Sequence, residues 1–375
     1  MIMIYALVIL ITCIFLVIYP YIVYPVLLKF IPDKKIHRKE GHKLSATLVF
    51  CAYNEAQSMP EKLANIEKLK ARHPELEVLA FDDGSNDSTY EQLVARPDLV
   101  RVVRGGGRNG KAFGMKQLAA QATGDIMIFT DANVTLREDA IDNLMAWYAD
   151  PGIGGICGSL HYSGSDESTT ATVGGSYWRL EEYLKKEESR TGNVMGGDGS
   201  IFSLRRSLYP VFPDTVLDDL TVSMAAVFNG TRLIKVEDVV AYEGLVVKRA
   251  EEFSRKVRIS ARAFHTHLFL LPQLRKMSAL DKFKYGSRKL IRWFGGLFLI
   301  VGAFAAMFAA YTVSLSAFLG LLLTGAVFVL VGLYAKKGIA ATIMEIVIAL
   351  FATLIGIFRA MRGQTFAVWN PAKSR

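Results

Sequence analysis

Acidic turns stand out as the places where this chain could do chemistry. The first is Thr130-Asp131-Ala132-Asn133, which follows a short apolar run from Ile126 to Phe129. A run of that length suits a fully buried strand, and in an open α/β sheet ligands bind beyond the carboxyl ends of the strands. Asp131 and Asn133, a carboxylate and an amide oxygen two residues apart, are hard donors that can share one Mg2+ or Mn2+ with a diphosphate. A second turn, Asp82-Asp83-Gly84-Ser85-Asn86-Asp87, also closes an apolar run. It reads as an Asx-type turn with Gly84 at positive φ and a helix cap at Asp87 or Ser88. Its chemical addition is an Asp83 carboxylate able to accept the imide N–H of a uracil. The third, Leu217-Asp218-Asp219-Leu220, opens an apolar helical pattern. Two carboxylates there suit the positive end of a helix dipole. The sharper reading makes Asp219 a general base, which takes the proton of an attacking hydroxyl.

Two further loops complete the set. In Phe50-Cys51-Ala52-Tyr53-Asn54-Glu55 the small Ala52 would let a planar base lie against the strand end, Tyr53 could stack on it and Glu55 could reach a ribose hydroxyl. Taken alone, that is an ordinary strand–loop junction. Gly105-Gly106-Gly107-Arg108-Asn109-Gly110-Lys111 opens a helix, where backbone N–H groups attract anions and Lys111 could neutralise a diphosphate. It is not a P-loop, because Ala112 stands where Ser or Thr would be needed. Each loop is weak by itself. Together they gain weight because four of them end successive predicted strands.

The elements that must position these loops alternate. Strands are predicted over 44–52, 77–81, 99–103 and 125–130, with helices over 59–71, from Ser88, over 111–122 and over 137–149. Strands separated by helices of this length call for a parallel sheet covered on both faces. After Gly152 the order loosens into Gly-rich pieces around a polar helix from Tyr177 to Ser189.

Of 375 residues, 51% are hydrophobic, and the excess lies at the two ends. Ile2 to Leu28 carries no charge and is long enough to cross a bilayer of about 30 Å. The division expected is a transmembrane segment over 1–30, a cytoplasmic catalytic domain over 40–250, basic interfacial helices over 251–289, transmembrane helices over 290–358 and a basic tail over 359–375. The net charge of +9 clusters beside the apolar flanks, as the positive-inside rule requires, and no nucleic-acid recognition motif accompanies it. Three C-terminal spans would place Arg359 and Arg362 outside, against that rule, so one segment is expected to be re-entrant or interfacial, Leu290–Tyr311 being suspect because of Arg292. Trp293 reads as an interface anchor, and His265 and His267 as surface residues. Three cysteines give neither a disulfide framework nor a zinc pattern, which fits a reducing compartment.

As a set, FCAYNE, FDDGSNDST, GRNGKAFGMKQ, TDAN and LDDL resemble the motifs of family 2 of the inverting glycosyltransferases, a family that includes cellulose, chitin and hyaluronan synthases. The likeness covers about residues 45–262. It implies an α/β, GT-A (nucleotide-diphospho-sugar transferase) Rossmann-like domain with a mainly parallel central sheet, flanked by transmembrane helices. By that match Ala52, Tyr53, Glu55 and Asp83 would hold the nucleoside of a UDP-sugar, and Lys111 and Arg258 its diphosphate. Asp131 and Asn133 would hold Mg2+ or Mn2+, and Asp219 would be the catalytic base. The implied acceptor is a polysaccharide or a lipid-linked saccharide. Membrane lipids and envelope polysaccharide assembly proteins are the implied partners, at the inner (plasma) membrane with the catalytic domain cytoplasmic. The sequence also departs from the family. Asn133 replaces the usual second aspartate, which removes a charge from the metal site, and Asp218 stands where glutamate is commoner. Arg255-Lys256-Val257-Arg258-Ile259 keeps, in Arg258, the arginine of the QxxRW motif of processive synthases and lacks its Gln and Trp. A cationic interfacial helix is the structural alternative for that stretch. Gly196–Gly199 resembles the family's acceptor-side loop, and Trp369 the C-terminal tryptophan element of some synthases. Two rivals remain: sugar transfer to a polyprenyl phosphate, and a membrane scaffold with a degenerate nucleotide-sugar site.

Overall fold

The uncharged N-terminal stretch forms two helices. The computed structural model describes residues 1–163, 169–244, 249–335, 338–366 and 368. In it α1 (Ile2–Ile18) and α2 (Val23–Lys29) meet at a bend of 60°. Pro20 lies in the turn between them, where its missing N–H and fixed φ end the first helix.

The chain then alternates as expected: β1 (Ala46–Ala52), α3 (Met59–Arg72), β2 (Glu77–Asp82), α4 (Thr89–Val94), β3 (Arg101–Arg104), α5 (Lys111–Gln121) and β4 (Ile126–Thr130). All seven residues of β1 and all five of β4 are buried, which is why they read as unbroken apolar runs. These four strands pair in parallel. Their carboxyl ends, and the loops that follow, therefore lie along one edge.

Beyond β4 the sheet changes character. The elements are β5 (Thr135–Leu136), α6 (Ala140–Tyr148), β6 (Ile153–Ser163), α7 (Thr169–Arg190), β7 (Ile201–Arg205), α8 (Asp218–Phe228) and β8 (Arg232–Gly244). The strand order is β3-β2-β1-β4-β7-β6-β8-β5. β7 runs antiparallel to both β4 and β6, β5 runs antiparallel to β8, and β6 pairs in parallel with β8. The sheet is thus mixed: its first half is parallel, and its second half joins antiparallel pairs to the parallel β6–β8 pair. β6 was hidden in the sequence by its glycines. They are there for close packing: a Cβ at Gly155 or Gly158 would collide with Leu233 or Ile201. Apolar layers cover both faces, one built from Leu48, Phe50, Ile66 and Leu144, the other from Val49, Phe81, Met115 and Phe202.

The C-terminal part comprises α9 (Arg249–Leu274), α10 (Ala279–Tyr285), α11 (Ile291–Trp293), α12 (Gly295–Val313), α13 (Leu315–Tyr334) and α14 (Ile339–Met361). Among the described residues, α12, α13 and α14 are long and apolar enough to cross a membrane, and the bent α1–α2 pair would make a fourth span if it counts as one. α1 packs along α12, with Cys13 facing Gly302. A buried ionic joint ties these helices to α7, which packs against the sheet. Arg288, in the π turn before α11, bonds Glu188 (2.6 Å) and Glu181 (2.9 Å) of α7, and Tyr24 of α2 donates to Glu188 (2.6 Å). Arg292 also pairs with Glu181, so this arginine lies ahead of α12 and outside its apolar run.

Two expectations are corrected here. Trp293 does not anchor an interface: it is buried against Phe264, His267 and Tyr285. His267 is buried with it, its Nδ1 3.1 Å from the Tyr285 hydroxyl, because α9 folds back onto the 285–293 segment. Trp369 and the end of the basic tail, 369–375, lie outside the described residues.

Candidate active site

Ala52, Tyr53, Glu55, Asp83, Asp131 and Asn133 sit at or just past the ends of β1, β2 and β4, Lys111 and Asp219 open α5 and α8, and Arg258 lies within α9. Tight local geometry holds the loops. Asn54, just past β1, adopts φ +52°, the left-handed region that Asn tolerates. Its Oδ1 accepts the Asn86 N–H (2.8 Å) and its own N–H donates to Ser85 Oγ (3.1 Å), so the first two loops brace each other. Ala52 is fully buried at the strand end. Tyr53 is stacked by Arg108, whose guanidinium carbon lies 3.1 Å from the ring centroid. Glu55, expected to reach a ribose, is buried, and its backbone N–H donates to Thr89 Oγ1 (2.9 Å).

Asp83 has an evident structural task. Its fully buried carboxylate accepts the N–H groups of Asn109 (2.7 Å) and Gly110 (3.1 Å) and faces Arg108 (3.5 Å). Burial pushes its pKa up against those donors. The acid turn after β2 thereby fixes the shape of the Gly-rich loop that opens α5. Gly110 has φ +92°, which a glycine adopts without strain, and it aims Lys111 across the cleft.

Lys111 is the centre of the site. Its Nζ donates to Asp131 Oδ1 (2.6 Å) and stands 3.9 Å from Asp218 Oδ2. Burial works against the ammonium, and Asp131, Asp218 and Asp219 together hold its pKa above the usual lysine range. The Gly196–Gly199 loop presses on this pair: a Cβ at Gly199 would sit 2.8 Å from Lys111 Nζ and 3.5 Å from Asp131 Oδ2. At the start of α8, Asp218 is buried between Lys111 and Arg262, whose Nη2 lies 3.9 Å from it. The next residue, Asp219, is half-buried and accepts the Leu220 N–H (2.6 Å). Burial first, and then the Asp218 charge, push the Asp219 pKa up to about 6. Asp131 and Asp219 therefore share one cleft, linked through Lys111.

Other residues at the site escaped the sequence reading. Asn133 donates its amide to Glu243 (3.1 Å) at the end of β8, and Ser200 donates to the other oxygen of the same carboxylate (3.3 Å). Arg262, one turn beyond Arg258 on α9, stands beside Asp218; i and i+4 residues share a helix face. Lys62 and Asn65 of α3 hold the 130–136 segment from beneath. No signal in the sequence separates these residues from ordinary surface or capping positions.

The oxygen donors fit a small hard cation. Among the described residues no group of three or more His, Cys, Asp or Glu could hold an ion by itself. Mg2+ and similar ions are commonly bound by one or two carboxylates with substrate phosphates completing the shell. Asp131 offers a carboxylate partly open to solvent, and the Asn133 amide is fixed nearby by Glu243.

A mixed sheet whose parallel half ends in an acid- and lysine-lined cleft, with helices on both faces, defines a GT-A type nucleotide-diphospho-sugar transferase fold. The structure superimposes on a mannosyltransferase from Pyrobaculum calidifontis, solved in complex with GDP-Man and Mn2+, with TM-score 0.74 at 24% identity, covering 94% of this chain and 98% of that one. Residues 47–211 match Glycosyl transferase family 2. It is 25% identical over 213 residues to a poly-beta-1,6-N-acetyl-D-glucosamine synthase from Staphylococcus aureus (strain COL), covering 54% of this chain and 49% of that protein. Over 174 residues it is 25% identical to a beta-monoglucosyldiacylglycerol synthase from Synechocystis sp., covering 44% of this chain and 36% of that protein. The alignments thus span half or less of those relatives' lengths.

Proposed function

We propose that this chain transfers a sugar from a nucleoside diphosphate sugar, a UDP-sugar in the first instance, to a hydroxyl of a saccharide or glycolipid acceptor at a membrane face, with inversion. The observation that carries this is the Asp131–Lys111–Asp218–Asp219 constellation in one cleft. Lys111 and Arg262 supply positive charge where a diphosphate would lie, and Arg258 is placed to add to it from the same helix face. Tyr53 and Ala52 form a surface for the nucleobase, and Asp83 acts by fixing the loop that meets the diphosphate. Asp131 and Asn133 would hold Mg2+ or Mn2+, which when bound would offset the charge growing on the departing diphosphate. Asp219 takes the proton of the attacking hydroxyl. Its raised pKa suits a base that must accept a proton near neutral pH and release it again.

The relatives' names support both a saccharide and a lipid acceptor: one makes poly-N-acetylglucosamine, the other glucosylates diacylglycerol. The decisive assay offers UDP-sugars and GDP-mannose to the membrane-reconstituted protein with Mn2+ and sizes the products by mass spectrometry. Transfer lost in Asp131→Ala and Asp219→Asn supports the reading. Full transfer by Asp219→Asn points instead to a phosphate acceptor, which needs no general base. No transfer or hydrolysis of any donor by the wild type favours the scaffold.

The same reading places the catalytic domain on the cytoplasmic face of the plasma membrane and assigns α14 a different role from α12 and α13. α14 lies along α9 for most of its length: Glu345, Ala349 and Ala352 border Glu252, Phe253 and Lys256, and Ile357 and Ala360 pack on Ala261 and Phe264. α9 carries Arg255, Lys256, Arg258 and Arg262 and touches the active site through Arg262, so it cannot enter the hydrocarbon core. α14 therefore stays at the interface with α9, and α12–α13 form a spanning hairpin. Arg359 and Arg362 then return to the catalytic side, which removes the conflict with the positive-inside rule.

A further inference from the structure

Lys62 is buried, with 1% of its surface exposed, in the apolar layer beneath β1, its Nζ 5.1 Å from the centre of the Phe50 ring. Among the described residues no carboxylate lies within ion-pair distance of it. The ammonium is spent on oxygens of a single segment: Val134 O (2.7 Å), Asp131 O (3.1 Å) and Thr130 Oγ1 (3.4 Å). One turn further along α3, Asn65 donates to Leu136 O (2.7 Å) and accepts the Leu136 N–H (2.8 Å). Positions three apart on a helix share a face, so both side chains reach up from the same stripe of α3.

A buried lysine with no carboxylate at ion-pair distance among the described residues is an expensive way to fill a core position, and an apolar side chain of similar volume is commonly as stable or more so. What Lys62 does that a methionine could not is gather carbonyl and hydroxyl oxygens from both ends of a turn. That turn carries Asp131 and Asn133. Its backbone has one bond of its own within the turn, Val134 N–H to Asp131 O (3.2 Å), followed by the two-residue strand β5, and the side chains of Asp131 and Asn133 are held at their tips by Lys111 and Glu243. Displacing a reacting group by about 1 Å can cost about a hundredfold in rate.

We propose that Lys62 and Asn65 are positioning residues: a clamp on α3 that fixes where Asp131 and Asn133 stand, without either residue touching substrate. The kinetic side of this inference rests on the proposed sugar transfer; its structural side does not.

The test uses the full-length protein in detergent or nanodiscs, with Lys62→Met, Lys62→Arg and Asn65→Ala. Hydrogen exchange without ligand is expected to show faster exchange across 131–136 in Lys62→Met, with β1 and β2 still protected as in the wild type. Mn2+-supported binding of UDP or GDP, whichever the wild type takes, is expected to weaken by about 10–100-fold, in line with other outer groups that orient metal ligands. Lys62→Arg, which keeps the donors, recovers most of that loss. Asn65→Ala shifts both readings the same way by less, and it carries the test if Lys62→Met does not fold. Wild-type exchange at 131–136 in a folded variant overturns the clamp, as does a loss of protection spread evenly over the whole domain. If the wild type binds neither nucleotide with Mn2+, the sugar-transfer reading fails, and the exchange experiment still decides the clamp.

Discussion

Lys111 Nζ lies 2.6 Å from Asp131 Oδ1, so the lysine expected to meet a diphosphate is paired with the acid expected to hold a metal. The pairing is internal charge compensation. Three carboxylates, at positions 131, 218 and 219, face this one ammonium, which relieves their mutual repulsion in a partly buried cleft together with Arg262 beside Asp218. When a metal and a diphosphate enter, they bring charges of both signs, and Lys111 can exchange the carboxylate for phosphate oxygens at little cost.

The first prediction follows from that exchange. In Lys111→Met the free protein loses the cation that competes for Asp131, so Mn2+ alone binds more tightly than in the wild type. Transfer falls nevertheless, by about 10²–10³-fold, because a preorganised charge at the diphosphate is gone. Manganese titration by electron paramagnetic resonance, beside initial rates, reads both effects. Weaker Mn2+ binding in the variant would contradict the exchange.

The pH profile gives a second. Asp219 must be ionised to act as a base, and its folded-state pKa is raised to about 6 by burial and by the Asp218 charge. The transfer rate should climb with pH below about 6 and level off above it. Asp218→Asn, which removes the repelling charge, should move that limb to lower pH. Stability runs the other way. A carboxyl whose folded pKa lies above its unfolded value of about 3.9 favours the fold at low pH, and that contribution is lost as pH rises through about 6. A rate limb that stayed in place in Asp218→Asn would remove Asp219 from the role of base.

Asp83 yields a third. Its carboxylate holds Asn109 and Gly110 by their N–H groups, so Asp83→Ala strands two buried donors. Hydrogen bonds to a charged group are worth about 1.5–3 kcal/mol each at most sites, so thermal unfolding should shift down by several degrees. Nucleotide affinity should fall with it, as the Gly-rich loop loses its shape. An unchanged melting temperature with lost nucleotide binding would show instead that Asp83 contacts the base and does not organise the loop.

Topology supplies the fourth. A reporter fused after residue 366 should report the same side of the membrane as one placed in the catalytic domain, whereas a reporter in the α12–α13 turn near Ser314 should report the opposite side. Opposite sides for the catalytic domain and the C-terminus would make α14 a true span.

The parallel half of the sheet was legible because β1, β2 and β4 are buried on both faces and end in polar turns, which leaves apolar runs with clear stops. The second half was not. β6 spends its length on glycines that admit Leu233 and Ile201, and β7 has five residues inside a loosely patterned stretch. The site divides in a similar way. Asp131, Lys111 and Asp219 stood out because their types and loop ends announce chemistry, and the fold brings them into one cleft. Glu243, Arg262, Lys62 and Asn65 reach the site only through tertiary contacts, from a strand end and helix faces far away in sequence. Asp83 was read for its carboxylate, but its observed partners are backbone N–H groups 26 and 27 residues further on, a relation no local pattern encodes.

The account turns on whether Asp131 and its neighbours take up a divalent ion together with a nucleoside diphosphate. Isothermal titration calorimetry of the reconstituted protein with UDP, and then GDP, in the presence and absence of Mn2+ measures this directly. Saturable binding that needs Mn2+ and disappears in Asp131→Ala is the result expected. Binding that is indifferent to Mn2+ and to position 131, or no binding of either nucleotide, would contradict it.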